Sequence, residues 1–143
     1  MLIKQISVFL ENKSGRLAEV TKVLGANNID ISALSIADTT DFGILRLILS
    51  QPEEAEKVLR EAGFTVSFTN VIAIAIPDVP GALASALEVL ETDGIGIEYM
   101  YAFIGKAENE ALVILRIEDT ERGIEALNKN NIKVLPSKTV YEL

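Results

Sequence analysis

Two short stretches with the same layout decide the fold of this 143-residue chain: Asn12-Lys13-Ser14-Gly15-Arg16-Leu17 and Asp78-Val79-Pro80-Gly81-Ala82-Leu83. Placing Gly15 over Gly81 gives an offset of 66 residues (81 − 15 = 66) and aligns identical residues on both sides of the glycine. The identities include Ile6/Ile72, Leu17/Leu83, Ala18/Ala84, Val23/Val89, Leu24/Leu90, Ile29/Ile95 and Ile31/Ile97. Because glycines, helical patterns and Ile-x-Ile pairs recur in one order, the chain is an internal repeat.

Each copy predicts the element order βαββαβ. In the first copy, alternation predicts a strand up to Leu10, and apolar residues at helical spacing predict a helix after Gly15. Ser50 is expected to cap the second helix, which ends near Gly63. The remaining predicted strands of the first copy cover 29–37, 43–50 and 64–69. The second copy predicts strands at 71–76, 95–103, 111–117 and 132–135, helices at 80–92 and 120–130, and a last strand at 139–143.

The predicted fold class is α+β, with two tandem ferredoxin-like βαββαβ units. Each unit has an antiparallel sheet with both helices on one face. The expected domains are residues 1–70 and 71–143. The run Ile44-Leu45-Arg46-Leu47 matches Ile114-Leu115-Arg116-Ile117 at an offset of 70 (114 − 44 = 70), which predicts four extra residues in the second hairpin. Arg46 and Arg116 are then expected on matching sites of a central strand.

The helix-free face of each sheet is predicted to be unusually apolar. Exposed apolar faces usually mark contact surfaces, so the tandem arrangement and a homodimer are expected to cover this one. The residues expected there are Phe9, Ile44 and Ile48 in the first copy and Ala73, Ala75 and Ile114 in the second.

The charge balance and the missing residue types exclude several functions. A formal charge of −8, from 21 acidic and 13 basic residues, argues against partners such as nucleic acid and anionic membranes. The chain has no histidine and no cysteine, so it lacks the commonest general base and the usual transition-metal ligands. The start shows no signal-peptide pattern and no apolar run approaches ~20 residues. We therefore expect a cytoplasmic protein without catalytic residues, bound metal or cofactor.

The turn before the first helix of each copy is the strongest candidate for ligand binding. A glycine lets backbone N–H groups approach a ligand, and the helix N-terminus behind it suits a carboxylate. The alternative, given equal weight, is that the glycine only closes a turn and that Ser14 or Asp78 only caps a helix.

Three further features have both a functional and a structural interpretation. Asp30, at the start of a strand, could hold an ammonium group or could simply be solvated. Tyr99 and Tyr101 could form the wall of a pocket, but packing is preferred. Arg46 and Arg116 could recognise an acid, but a salt bridge between the repeats is preferred.

The turn at Asn12 to Leu17, the Ile29-Asp30-Ile31 step and the βαββαβ order together resemble the ACT domain family. The resemblance covers both copies and is closest to small stand-alone proteins with two ACT domains. It implies a regulatory module that binds an amino acid where two ACT units meet. It also implies ligand contacts from Asn12, Gly15, Leu17, Asp30 and Ile31. Serine-binding members have asparagine at both polar positions, whereas this chain has Asp30, so the ligand stays open.

With the neighbouring turn residues included, the candidate ligand-binding residues are Asn12, Lys13, Ser14, Gly15, Arg16, Leu17, Asp30, Ile31, Gly81 and Leu83. The first copy is expected to provide the specific contacts. In the second copy Asp78 would repel a carboxylate, Pro80 lacks an N–H and Gly96 has no side chain.

The predicted function is a regulatory protein that senses a free amino acid and is not an enzyme. The alternative is a ligand-free docking subunit of an amino-acid-biosynthesis enzyme, such as acetolactate synthase. The expected partners are the amino acid, a second copy of the chain and, under the alternative, a metabolic enzyme.

Overall fold

A computed structural model describes residues 2–11, 14–38, 42–105 and 108–143. The strands and helices follow the repeat. In chain order the elements are β1 (Ile3–Glu11), α1 (Arg16–Ala26), β2 (Ile31–Asp38), β3 (Phe42–Leu49), α2 (Pro52–Glu61), β4 (Thr65–Pro77), α3 (Ala82–Thr92), β5 (Ile97–Ala102), β6 (Glu110–Ile117), α4 (Thr120–Lys129), β7 (Lys133–Val134) and α5 (Ser137–Tyr141).

The chain forms two compact units. The N-terminal unit comprises Lys4–Thr69 with Tyr141–Leu143, and the C-terminal unit comprises Asn70–Val140 with Met1–Ile3. The strand order is β2-β3-β1-β4 in the N-terminal unit and β5-β6-β4-β7 in the C-terminal unit. The long strand β4 belongs to both orders. The pairs β1·β3, β2·β3, β4·β6, β4·β7 and β5·β6 are antiparallel. The predicted fold class is confirmed.

Each unit has its own apolar core between the sheet and its two helices. In the N-terminal unit Leu24 of α1 and Leu59 of α2 pack against the same face of the sheet, with Val8 of β1 beneath them. In the C-terminal unit Leu90 of α3 and Leu127 of α4 do the same. All five side chains are fully buried or nearly so. Because both helices of a unit share one core, they lie on one face of its sheet, as predicted.

The strand registers correct the predicted alignment of the second hairpin. Ile6 pairs with Leu47 and Ile72 pairs with Leu115, so β3 and β6 correspond at an offset of 68 (115 − 47 = 68). The second hairpin is therefore two residues longer (68 − 66 = 2), not four. The prediction failed because a shift of two leaves every side chain on the same face, so alternation alone cannot detect it.

This register also separates the two arginines that were expected to match. Arg46 lies opposite Ser7 of β1, and the equivalent pair in the C-terminal unit is Ile114 with Ala73. Arg116 lies two residues further along its strand. There its Nε is 3.2 Å from a carboxylate oxygen of Glu98 within the same unit.

Two predicted strand boundaries are wrong. Residues 64–69 and 71–76 do not form separate strands, because β4 runs without a break from Thr65 to Pro77. A last strand was expected at 139–143, but residues 139–141 belong to the short helix α5. The N–H of Val140 donates to the carbonyl oxygen of Pro136, and the Val140 side chain is fully buried. Burial on one side of a helical turn outweighs the strand propensity of the β-branched residues.

The helix-free face differs from the prediction in how much of it is exposed. Ile48, Ala73 and Ile114 are fully buried within the chain, and Ala75 is 5% exposed. Only Phe9, at 48%, remains a large exposed side chain among the residues named for this face. Most of the face therefore needs no second copy to bury it, and the argument for a homodimer from this face is weakened.

The last residues of the chain attach to the first strand of the N-terminal unit. The backbone N–H of Lys4 donates to the Tyr141 hydroxyl at 2.8 Å, and its Nζ lies 3.0 Å from a carboxylate oxygen of Glu53. The same ammonium group lies 5.3 Å from the ring centroid of Phe68. The hydrogen bond to Glu53 raises the pKa of Lys4, and the same bond lowers the pKa of Glu53.

No helix among the described residues is long and apolar enough to cross a membrane.

Candidate ligand-binding site

The two glycine turns have nearly the same backbone conformation. Gly15 has φ 88° and ψ −9°, and Gly81 has φ 88° and ψ −14°. Both lie in the left-handed region that glycine adopts without steric cost, which explains why glycine recurs although the flanking residues differ. Each glycine is the N-cap of the helix that follows.

The N-cap positions are occupied by the glycines, which have no side chain to cap the helix, so Ser14 and Asp78 are not the N-cap residues that the structural alternative assumed. The carbonyl oxygens of Gly15 and Gly81 accept the first helical hydrogen bonds from Glu19 and Ser85, each at 3.0 Å. In the C-terminal unit the N–H of Ala82, the first residue of α3, donates to the Val79 carbonyl oxygen at 3.3 Å. The other N–H groups at the start of a helix lack a partner within the helix and can bind water or a ligand. Asn12 and Lys13, both predicted to contact the ligand, lie outside the described residues.

Leucines follow the glycines at matching places on the two helices. Leu17 is 40% exposed and Leu83 is 37% exposed, although both are large apolar side chains. The sequence-based choice of these two residues for ligand contact is compatible with this exposure, because neither side chain belongs to the core of its unit.

Arg16 lies in a charged cluster beside the first turn. Its Nη1 is 3.0 Å from a carboxylate oxygen of Glu19, and its Nη2 is 3.9 Å from one of Glu11. Its Cζ lies 5.0 Å from the centroid of the Phe64 ring, a distance typical of a cation–π contact. Its Nε is buried and has no hydrogen-bond partner in the part of the chain that the structure describes.

The start of the second strand lies at the other end of the first helix. The Asp30 N–H donates to the Ser50 Oγ, and the Ser50 N–H donates to the Asp30 carbonyl oxygen, both at 3.0 Å. Ser50 therefore fixes the start of the second strand. The prediction that Ser50 caps α2 is wrong, because the N-cap residue of that helix is Gln51. Ile31 follows at a register irregularity of β2.

Within one unit the predicted ligand contacts are not brought together. The turn at Gly15 precedes α1 and Asp30 follows it, and this helix has 11 residues. At 1.5 Å per residue the two ends are about 16 Å apart. One amino acid bound to one unit therefore cannot contact both the turn and Asp30.

The C-terminal unit has an acidic group that the sequence did not indicate. Gly96 corresponds to Asp30, and at the corrected offset Glu118 corresponds to Ser50. The hydrogen bonds agree with this, because the Glu118 N–H donates to the Gly96 carbonyl oxygen at 3.1 Å, just as the Ser50 N–H donates to that of Asp30. A Cβ added to Gly96 would overlap the Glu118 carboxylate. The Glu118 carboxylate, just after β6, thus lies where a side chain at position 96 would be, in place of the carboxylate that Asp30 has in the N-terminal unit. This exchange is visible only once the register is known.

Cavities accompany these positions. One of about 350 Å³ lies at the second-strand start of the C-terminal unit, lined by Leu87, Glu91, Gly94, Ile95, Gly96 and Ile97. Another of about 440 Å³ lies beside the turn at Gly81, and the corresponding cavity of the N-terminal unit has about 180 Å³. Among the described residues no group of acidic side chains is arranged to hold a metal ion.

Comparison with known proteins decides the family. The model of the ACT domain pair matches residues 1–143. The chain belongs to this family. Protein BT0572 from Bacteroides thetaiotaomicron has a crystal structure that is similar over 100% of this chain and 98% of that one, with 47% identity and a TM-score of 0.94.

More distant structures resemble the ACT domain pair in fold alone. The ligand-free regulatory subunit of aspartate kinase from Thermus thermophilus is 18% identical over 90% of this chain and 93% of that one, with a TM-score of 0.66. The subunit from Thermus flavus is 17% identical over 88% and 90%, with a TM-score of 0.60. No protein of curated function matches the sequence. The resemblance to ACT domains is confirmed, whereas the individual ligand contacts stay predictions.

Proposed function

We propose that this ACT domain pair is a regulatory protein that binds a free amino acid where ACT units meet, and that it has no catalytic activity. The observation that supports this most directly is the pair of cavities in the C-terminal unit. They lie at the first turn and at the start of the second strand, the two places that the family resemblance implies for ligand contacts. The fold shared with regulatory subunits of aspartate kinase agrees with this role.

The proposed contacts follow from the two repeated positions. In the N-terminal unit they are the turn from Asn12 to Leu17 with Asp30 and Ile31, and in the C-terminal unit Gly81 and Leu83. Because the ends of a helix are too far apart for one ligand, we propose that one copy provides the turn and another the strand start. Residues 1–70 and 71–143 are proposed as the two domains, and the cytoplasm as the location.

A docking subunit without a ligand is the second candidate. It is favoured by the exposed apolar side chains of the N-terminal unit, where Phe9, Ile36 and Phe42 are 48%, 44% and 54% exposed. Such side chains suit contact with a partner protein, such as an amino-acid-biosynthesis enzyme.

Free amino acids are expected to raise the melting temperature of the protein. A ligand that binds only the folded state at ~100 times its dissociation constant adds roughly 2.7 kcal/mol to the free energy of unfolding. The measurement is a thermal-shift panel of the twenty amino acids at millimolar concentration. If none shifts the melting temperature, the sensor is rejected and the docking subunit is the better proposal.

The protein is expected to be a homodimer or larger at micromolar concentration. Strands β2 and β5 are at the ends of the strand orders, and each has one partner strand among the described residues. Unpaired strand edges are ready to pair with a second chain. Light scattering should report a mass above the 15.5 kDa of one chain. A constant 15.5 kDa across a concentration series would show that the chain is a monomer.

A further inference from the structure

The two first turns differ in a set of three side chains. In the N-terminal unit Glu11, Arg16 and Glu19 form a charged cluster. At the offset of 66 their counterparts are Pro77, Ala82 and Ser85, none of which carries a charge. All three charges are therefore lost together in the second copy.

The side chain of Arg16 occupies the space beside the first turn. Its guanidinium lies over the ring of Phe64, and both residues line the N-terminal cavity of about 180 Å³ together with Glu11. The bond to Glu19 holds the guanidinium there. The space beside this turn is therefore partly filled by a side chain of the protein itself.

The corresponding cavity of the C-terminal unit is open and uncharged. Ala82 replaces Arg16, Ile132 replaces Phe64, and the volume is about 440 Å³, within the range of small-molecule sites. Eight of its lining residues are apolar, namely Ala75, Ile76, Pro77, Val79, Pro80, Ala82, Ala86 and Ile132. Of the polar side chains in the lining, Ser85 already donates its hydroxyl to the Gly81 carbonyl oxygen at 3.1 Å. The Asn131 amide remains for a ligand.

We infer that the cavity beside Gly81 takes the apolar side chain of the ligand, and that the protein therefore selects an amino acid with an aliphatic or aromatic side chain. A charged side chain would lose its hydration among these residues without gaining a partner of opposite charge. An apolar one gains the free energy of burial. This inference rests on the proposed function and places the side-chain pocket in the C-terminal unit, not in the N-terminal unit that the sequence favoured.

The test is a calorimetric titration with two sets of amino acids. One set is leucine, isoleucine, valine, methionine and phenylalanine, and the other is serine, aspartate and lysine. The variant Ala82→Arg adds a long, charged side chain to the lining of the cavity, and the affinity for an apolar amino acid should fall about ten- to a hundredfold. Ala84→Arg adds the same charge at an exposed position of the same helix outside the cavity lining and should keep affinity within about twofold. Melting curves confirm that both variants fold.

The outcomes separate this inference from the proposed function. Binding of an apolar amino acid that is lost in Ala82→Arg and kept in Ala84→Arg supports the inference. Binding only of serine, aspartate or lysine, or undiminished binding by Ala82→Arg, overturns it and leaves the sensor standing. A loss in Asn12→Ala without a loss in Ala82→Arg returns the specific contacts to the N-terminal turn. Absence of binding by every amino acid rejects both.

Discussion

Replacing Leu24 or Leu90 by alanine is expected to lower the free energy of unfolding by about 2–5 kcal/mol each, measured by urea denaturation without ligand. Both side chains are fully buried at equivalent places in the two cores. The loss combines the transfer of the removed methyl groups to water with the cavity left in the core. Since small proteins have about 5–15 kcal/mol in total, either change removes a large part of the stability.

The same substitution at an exposed leucine provides the control. Leu17 lies on α1 with Leu24, Leu83 lies on α3 with Leu90, and both are more than a third exposed. Leu17→Ala and Leu83→Ala should each cost less than about 1 kcal/mol. Equal losses at the buried and exposed sites would contradict the placement of the cores. Hydrogen exchange of the Leu24 and Leu90 variants also tests the proposed domains, because separate domains confine the loss of protection to the unit that carries the change.

The sequence predicted the fold well because the repeat is defined by residues whose replacement would destabilise the fold. Gly15 and Gly81 adopt φ 88°, a conformation that other residues rarely tolerate, and Leu24 and Leu90 fill the same place in two cores. Such residues recur at a fixed offset and are visible in a single sequence. The two glycine turns, helices α1 to α4 and the order of the elements that the two repeats share were therefore predictable.

The strand register could not be predicted from the sequence in the same way. Moving Arg116 by two residues from the place of Arg46 leaves its side chain on the same face of the sheet. Alternating hydrophobicity is unchanged by such a shift, and the hairpin length is its only trace in the sequence. The exchange of Asp30 for Glu118 was hidden for the same reason, because it depends on which residues of two strands are opposite each other.

The sequence favoured the N-terminal turn, whereas we infer a side-chain pocket at the C-terminal turn, because this inference depends on how a side chain packs. By residue type, Arg16 looks like a ligand contact, since guanidinium groups bind carboxylates. In the structure its partners are Glu11, Glu19 and the ring of Phe64, so its charge is already balanced within the unit. Ala82, which has no chemistry of its own, marks the larger cavity by leaving that space empty. A small residue in one repeat can therefore indicate a binding cavity better than the charged residue at the equivalent position of the other repeat.

Replacing Val140 by aspartate is expected to lower the free energy of unfolding by at least about 3 kcal/mol, because it loses a buried apolar side chain and places a carboxylate among apolar groups. Val140 is fully buried on α5, in the segment where the sequence predicted a strand. The neighbouring residue Thr139 is exposed, so Thr139→Asp adds the same charge to the same helix and should cost less than about 1 kcal/mol. Urea denaturation of both variants measures the difference. A small loss for Val140→Asp would mean that this end of the chain is not packed in solution. A large loss for both would mean that the helix exposes a different side from the one described.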